Sequence, residues 1–125
     1  MPAAASGPTA LIRSLRIKCS SLNRLQKDVK AYTSETTSAQ AALEKWRNMD
    51  PKDRDEDWEW NVKNAEKVVK DTEQMVPLTQ EKVQAVLDDL KDLVETLKSE
   101  GDEEVLKSSE YETACKALET QASEQ

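Results

Sequence analysis

Apolar side chains recur at alternating steps of four and three over two long stretches of the chain. The first runs Leu11, Leu15, Lys18, Leu22, Leu25, Val29, Tyr32, Thr36, Ala39, Leu43, Trp46. The second runs Trp58, Val62, Ala65, Val69, Thr72, Val76, Thr79, Val83, Val86, Leu90, Leu93, Leu97. A 4-3 spacing lines up side chains along one seam of an α-helix, and a period of 3.5 keeps that seam facing a partner over many turns. Each stretch therefore predicts a long packing helix. Tyr111, Ala114 and Leu118 continue the spacing in a third, shorter segment, where Val105, Leu106, Cys115 and Ala122 widen the apolar face.

The predicted fold is all-α: an elongated antiparallel three-helix bundle or coiled coil. Helix 1 is expected at about 9–48, helix 2 at about 54–99 and helix 3 at about 102–122, in one domain spanning 9–123 behind a disordered tail at 1–8. The third helix is long enough to cover only the first part of helix 1 and the last part of helix 2. The hairpin end near Trp46 and Trp58 is left two-stranded, with a groove exposed unless another subunit or a partner covers it. The expected core is Leu22, Leu25, Val29, Tyr32, Leu43, Trp46, Trp58, Val62, Val69, Val76, Val83, Leu90, Leu93, Tyr111 and Leu118.

Pro77 interrupts the second pattern, and a proline in a helix interior costs about 3 kcal/mol because it removes a donor and crowds the carbonyl four residues back. The register nevertheless passes through it without slipping, and Met75, Val76 and Leu78 are apolar where a turn would need Gly, Asn or Asp. Helix 2 is thus expected to be kinked and continuous. The run from Thr33 to Ser38 is the weak point of helix 1, since Ser and Thr are poor helix formers. Thr9 suits an N-cap, and Asp50-Pro51 marks a connection. Gly101 suits a left-handed stop, with Asp102 capping the helix that follows. Trp58 is expected to meet Trp46 across the hairpin, and Trp60 to face outward.

Composition supports helices: charged residues make up 34% of the chain, with two Gly and no Phe or His. The net charge of −7 hides an asymmetry. Residues 1–48 hold eight Lys or Arg against three acids, 49–99 eight against fourteen, and 100–125 two against eight. This polarity either pairs the helices within the bundle or makes Arg13, Arg16, Lys18, Arg24, Lys27 and Lys30 a cationic strip for an acidic protein partner. Nucleic acid is disfavoured, because the domain is acidic and no aromatic platform interleaves the basic residues.

Catalysis is equally disfavoured. The chain offers no His for proton transfer, no Gly-rich phosphate loop and no paired cysteines, and adjacent acids such as Asp88-Asp89 point to different sides of a helix. No enzyme activity, metal or cofactor is expected. The acid-rich run from Asp50 to Asp57 lacks the ligand spacing and central Gly of a calcium loop. Cys19 and Cys115 read as free thiols. No apolar run approaches the roughly 20 residues that span a bilayer, and Met1–Ala10 lacks signal-peptide features, so the expectation is a soluble, intracellular protein with no membrane partner.

Three features in sequence carry a family resemblance. Leu15-Arg16-Ile17-Lys18 precedes a long helix containing Tyr32, Lys70 to Leu93 contains Met75-Val76-Pro77 before a Leu-rich helix, and Tyr111-Glu112-Thr113-Ala114 follows late. In order and spacing over roughly Leu11 to Leu118, the chain resembles the tubulin-specific chaperone A (tubulin-folding cofactor A) family. That resemblance implies a cytoplasmic, cytoskeleton-associated three-helix protein, monomer or homodimer. Such a protein binds β-tubulin after its release from the chaperonin, keeps it soluble and hands it to other tubulin-folding cofactors for α/β-heterodimer assembly. The expected partner-binding residues are Arg16, Lys18, Arg24, Lys27, Lys30, Met75 and Pro77. The alternative is a spectrin-repeat-like or other coiled-coil scaffold or adaptor, against which a short chain opening on its own Met is expected to stand alone.

Overall fold

The computed structural model describes residues 7–124, with side chains through residue 121. Most of the tail expected at 1–8, the side chain of Ala122 and the fraying end expected at Ser123 to Gln125 lie outside the described side chains. Among the described residues there are four α-helices and no strand: α1 (Pro8–Arg47), α2 (Trp58–Glu100), α3 (Glu103–Leu106) and α4 (Ser109–Glu124). A short 3₁₀ turn, Pro51–Asp53, lies in the connection between α1 and α2. The chain is an all-α helical bundle.

Contacts divide the chain into two compact units. One joins the N-terminal stretch through Leu25 with everything from Lys82 onward, and the other is Gln26–Glu81.

The first unit holds the larger core. Leu15, Leu22, Leu87, Leu90, Val94, Leu97, Val105 and Ala114 are buried together, and Leu11, Ile12, Cys19, Val83, Leu93, Tyr111 and Leu118 pack around them. Leu15, Leu90 and Val105 have no exposed surface at all. Each such side chain withdraws on the order of 1.5–3 kcal/mol of apolar surface from water, which is what holds helices of modest intrinsic propensity in place.

Gly101 ends α2 at φ 69°, with its N–H donating to Leu97 O at 3.0 Å. Glycine takes this left-handed conformation at no steric cost. Asp102 then caps α3, its Oδ1 accepting from the N–H groups of Glu104 (3.0 Å) and Val105 (3.4 Å).

The sequence predicts one third helix at 102–122, whereas the structure breaks it at Lys107-Ser108. Ser108 causes the break locally. Its Oγ donates to Val105 O at 2.6 Å and accepts the N–H of Tyr111 at 3.2 Å, closing α3 and opening α4 with one hydroxyl.

The second unit is built from the rest of α1 and α2 and the connection between them. Ala39, Leu43, Ala65 and Thr79 are buried here, while Val29, Tyr32, Trp46, Val62, Val69 and Val76 remain half-buried. In the weak run of α1, Thr33, Thr36 and Thr37 donate their hydroxyls to the carbonyls of Val29, Tyr32 and Thr33, so the hydroxyls are satisfied within the helix.

Helix α2 is unbroken through Pro77. Two residues on, buried Thr79 donates its hydroxyl to Met75 O at 2.8 Å, so the one buried polar side chain among those described has a partner.

At the connection, Asp50 accepts from Lys52 N–H, and Pro51 occupies the first position of the 3₁₀ turn. Trp58 reaches back across the connection, but not to the indole of Trp46. Its Nε1–H donates to the backbone carbonyl of Trp46 at 2.9 Å, and the guanidinium of Arg54 covers its ring at 4.0 Å from the centroid. Arg54 also donates to the carbonyls of Met49 (3.1 Å) and Arg47 (3.4 Å), gathering both ends of the connection around one cation.

Candidate partner-binding surfaces

Once the seam is spent on packing, the outer faces of the helices remain for recognition. In the first unit Arg13, Arg16 and Arg24 are exposed and enter no ion pair among the described residues. At 100° per residue they fall within an arc of about 80° on α1. Lys18 lies about 200° from Arg16, on the packing side, and is half-buried; it does not share the face of the arginines.

Ile17, 52% exposed, sits one helical turn from Arg13 and two turns from Arg24, so an apolar side chain lies along one edge of the arginine face.

Cys19 and Cys115 are free, half-buried thiols at the edge of this unit's core. Burial pushes the Cys19 thiol above its ordinary value of 9.0. Burial, and then a hydrogen bond with the Cys115 thiol, raise the Tyr111 phenol above its ordinary value of 10.0. Both groups are held neutral at physiological pH, which suits packing more than reactivity.

In the second unit Lys27 and Lys30 are exposed on α1, while on α2 Met75 is half-buried and Pro77 exposed. Beside Pro77 stands Leu78, 51% exposed, and further along α2 Val68 (44%) and Trp60 (66%) also face solvent. On one flank of this helical pair, Gln40 Nε2 donates to Glu73 Oε1 at 3.1 Å and Arg47 pairs with Glu66 at 3.8 Å. On the other flank of α2 a shallow groove of about 450 Å³ is lined by Ser34, Glu35, Ser38, Ala39, Val68 and Thr72.

Of the expected binding residues, Arg16, Lys18 and Arg24 thus belong to the first unit and Lys27, Lys30, Met75 and Pro77 to the second. Ile17, Leu78 and Val68 were missed as surface residues. Each is apolar and falls outside the 4-3 register, but register alone does not mark a residue as exposed, since Leu87 and Val94 are equally off-register and are buried.

Among the described residues no cluster of Cys, Asp and Glu is placed to hold a metal ion, and no helix is long and apolar enough to cross a membrane.

Fold and surfaces together define a helical bundle whose apolar seams are internal and whose exposed faces carry unpaired cations beside isolated apolar side chains. The chain belongs to the tubulin binding cofactor A family, whose model matches residues 10–118. It is a tubulin-binding cofactor with a chaperone role, and tubulin is its partner. No curated protein and no solved structure shows significant similarity to it.

Proposed function

We propose that this cofactor captures β-tubulin after its release from the cytosolic chaperonin, keeps it soluble, and passes it to other tubulin-folding cofactors for assembly into the α/β heterodimer. The family match over residues 10–118 carries the proposal. The bundle contributes by keeping its apolar seams internal and presenting charged outer faces to a partner. It acts in the cytoplasm as a monomer or homodimer.

Capture draws on the exposed cations of α1. Arg16, Arg24, Lys27 and Lys30 enter no ion pair among the described residues, so meeting acidic side chains breaks no contact seen there. Met75 and Pro77 with the exposed Leu78 supply an apolar element on α2. Lys18 contributes its aliphatic stem to packing and at most the end of its chain to a partner.

The test is co-elution with purified tubulin. Reversing charge at Arg24, Lys27 and Lys30 is expected to weaken capture without changing helicity. Undiminished capture by that variant would remove these cations from the interface.

A further inference from the structure

Within the second unit, α2 carries a further surface that is independent of the basic residues of α1. Lys63, Lys67 and Lys70 are all exposed, and none has an ion-pair or hydrogen-bond partner among the described residues. At 100° per residue they fall within about 60° of one another on the helix.

The stretch is not basic in sequence, because Glu59, Glu66, Asp71, Glu73 and Glu81 are interspersed. On the folded helix the three lysines are gathered on one face. Glu66 is drawn to Arg47 and Glu73 to Gln40 on the flank facing α1, and Asp71 borders the lysines without neutralising any of them within ion-pair distance. Trp60 and Leu78, 66% and 51% exposed, stand at the two ends of this stripe. Eighteen residues is five full helical turns, so the two apolar side chains share one direction about 27 Å apart.

We infer that this stripe of α2 is a docking site for an acidic peptide segment bearing apolar side chains at its ends. Charge complementarity selects the occupant: three unpaired ammonium groups in a row suit a run of carboxylates, and an exposed indole and isobutyl group suit apolar anchors. A span of 27 Å corresponds to about eight residues of extended chain. A flat anionic membrane fits less well, since Glu59, Asp71 and Glu81 border the stripe and would be pressed against the like-charged surface. The inference does not require the α1 cations, so it stands apart from the capture surface proposed above.

The probe is a fluorescein-labelled peptide of about eight residues, Glu-rich with a Leu at each end, titrated with the full chain and followed by anisotropy. Its counterpart with Gln for every Glu is expected to bind at least about tenfold more weakly, three exposed charge contacts being worth about that factor together. K63Q/K67Q/K70Q should weaken the acidic peptide by a similar factor, with helicity and melting temperature unchanged. Trp60→Ala should weaken it by about fivefold, as an exposed aromatic anchor would. R13Q/R16Q/R24Q should leave this binding unaltered.

Equal binding of the Glu and Gln peptides, or wild-type affinity in K63Q/K67Q/K70Q, would overturn the assignment. So would tighter association with phosphatidylserine vesicles than with the peptide. A chain that binds the peptide as expected but never captures tubulin would contradict the proposed function and leave this site standing.

Discussion

Replacing Pro77 with alanine sets two opposed effects against each other, and their sizes decide the sign. Proline has no N–H, so the carbonyl of Glu73 lacks the donor that an uninterrupted helix would supply, although α2 continues through this point. The alanine variant restores that donor, worth about 0.5–1.5 kcal/mol net, and relieves the crowding of the ring against the same carbonyl. Host-guest differences put the total as high as about 3 kcal/mol. Against this, proline restricts the unfolded chain, and losing that restriction costs about 0.4–1 kcal/mol.

Pro77 is exposed, so no core packing is lost with its ring. A net gain of about 1–2 kcal/mol follows, or a rise in melting temperature of roughly 4–8 °C for a chain of this length. Urea and thermal unfolding followed by far-UV circular dichroism measure it directly. An unchanged or lower stability would refute the reasoning, because it would mean that the backbone around Pro77 cannot accept an ordinary helical hydrogen bond. Tubulin capture measured on the same variant separates scaffold from function: if the local geometry at Pro77 shapes the binding face, capture should fall while stability rises.

Leu90→Ala should cost about 2–5 kcal/mol, since the side chain is wholly buried in the first unit's core, and a drop of the urea midpoint without a change in slope would register it. Trp58→Phe removes the indole donor to Trp46 O and weakens the stacking of Arg54; about 1–2 kcal/mol should be lost, with amide exchange accelerated first around the connection between α1 and α2. Gly101→Ala should cost about 1 kcal/mol, all of it conformational, because a Cβ there meets no atom within 4 Å while φ is 69°. Stability should fall as pH rises past 9 to 10: Cys19 and Tyr111 ionise in the unfolded chain at their ordinary values of 9.0 and 10.0 and only at higher pH when folded, so the folded state binds more protons in that window. Their contribution is complete below those values, and Cys19→Ala should make the alkaline decline shallower in urea titrations at neutral and alkaline pH.

The helices and their seams were legible because a 4-3 register leaves a periodic trace that survives even Pro77 and the Ser/Thr-rich run. Caps were legible where one residue type is strongly preferred, as with Gly101 and Asp102. What escaped the sequence depended on contacts that have no periodicity. Ser108 splits the last helix through one hydroxyl serving two neighbours, and nothing in the apolar pattern marks it. The Trp58 contact went to a backbone carbonyl, which every residue possesses and no sequence can advertise. Of the candidate binding residues, Lys18 illustrates the limit of reading charge along a line: adjacent in sequence to Ile17 and two from Arg16, it points away from both. The stripe of Lys63, Lys67 and Lys70 was hidden for the opposite reason, since acids are interspersed with it in sequence and two of them, Glu66 and Glu73, turn toward α1 only once that helix lies alongside.

Because the indole of Trp58 is anchored to the main chain at position 46, the clasp at that corner is indifferent to which amino acid occupies the site. Substitution of Trp46 therefore forfeits the packing of its half-buried side chain but leaves this latch intact, whereas substitution of Trp58 removes the latch itself. The latch, taken by itself, should be lopsided in its tolerance of mutation, strict on the donor side and lenient on the acceptor side.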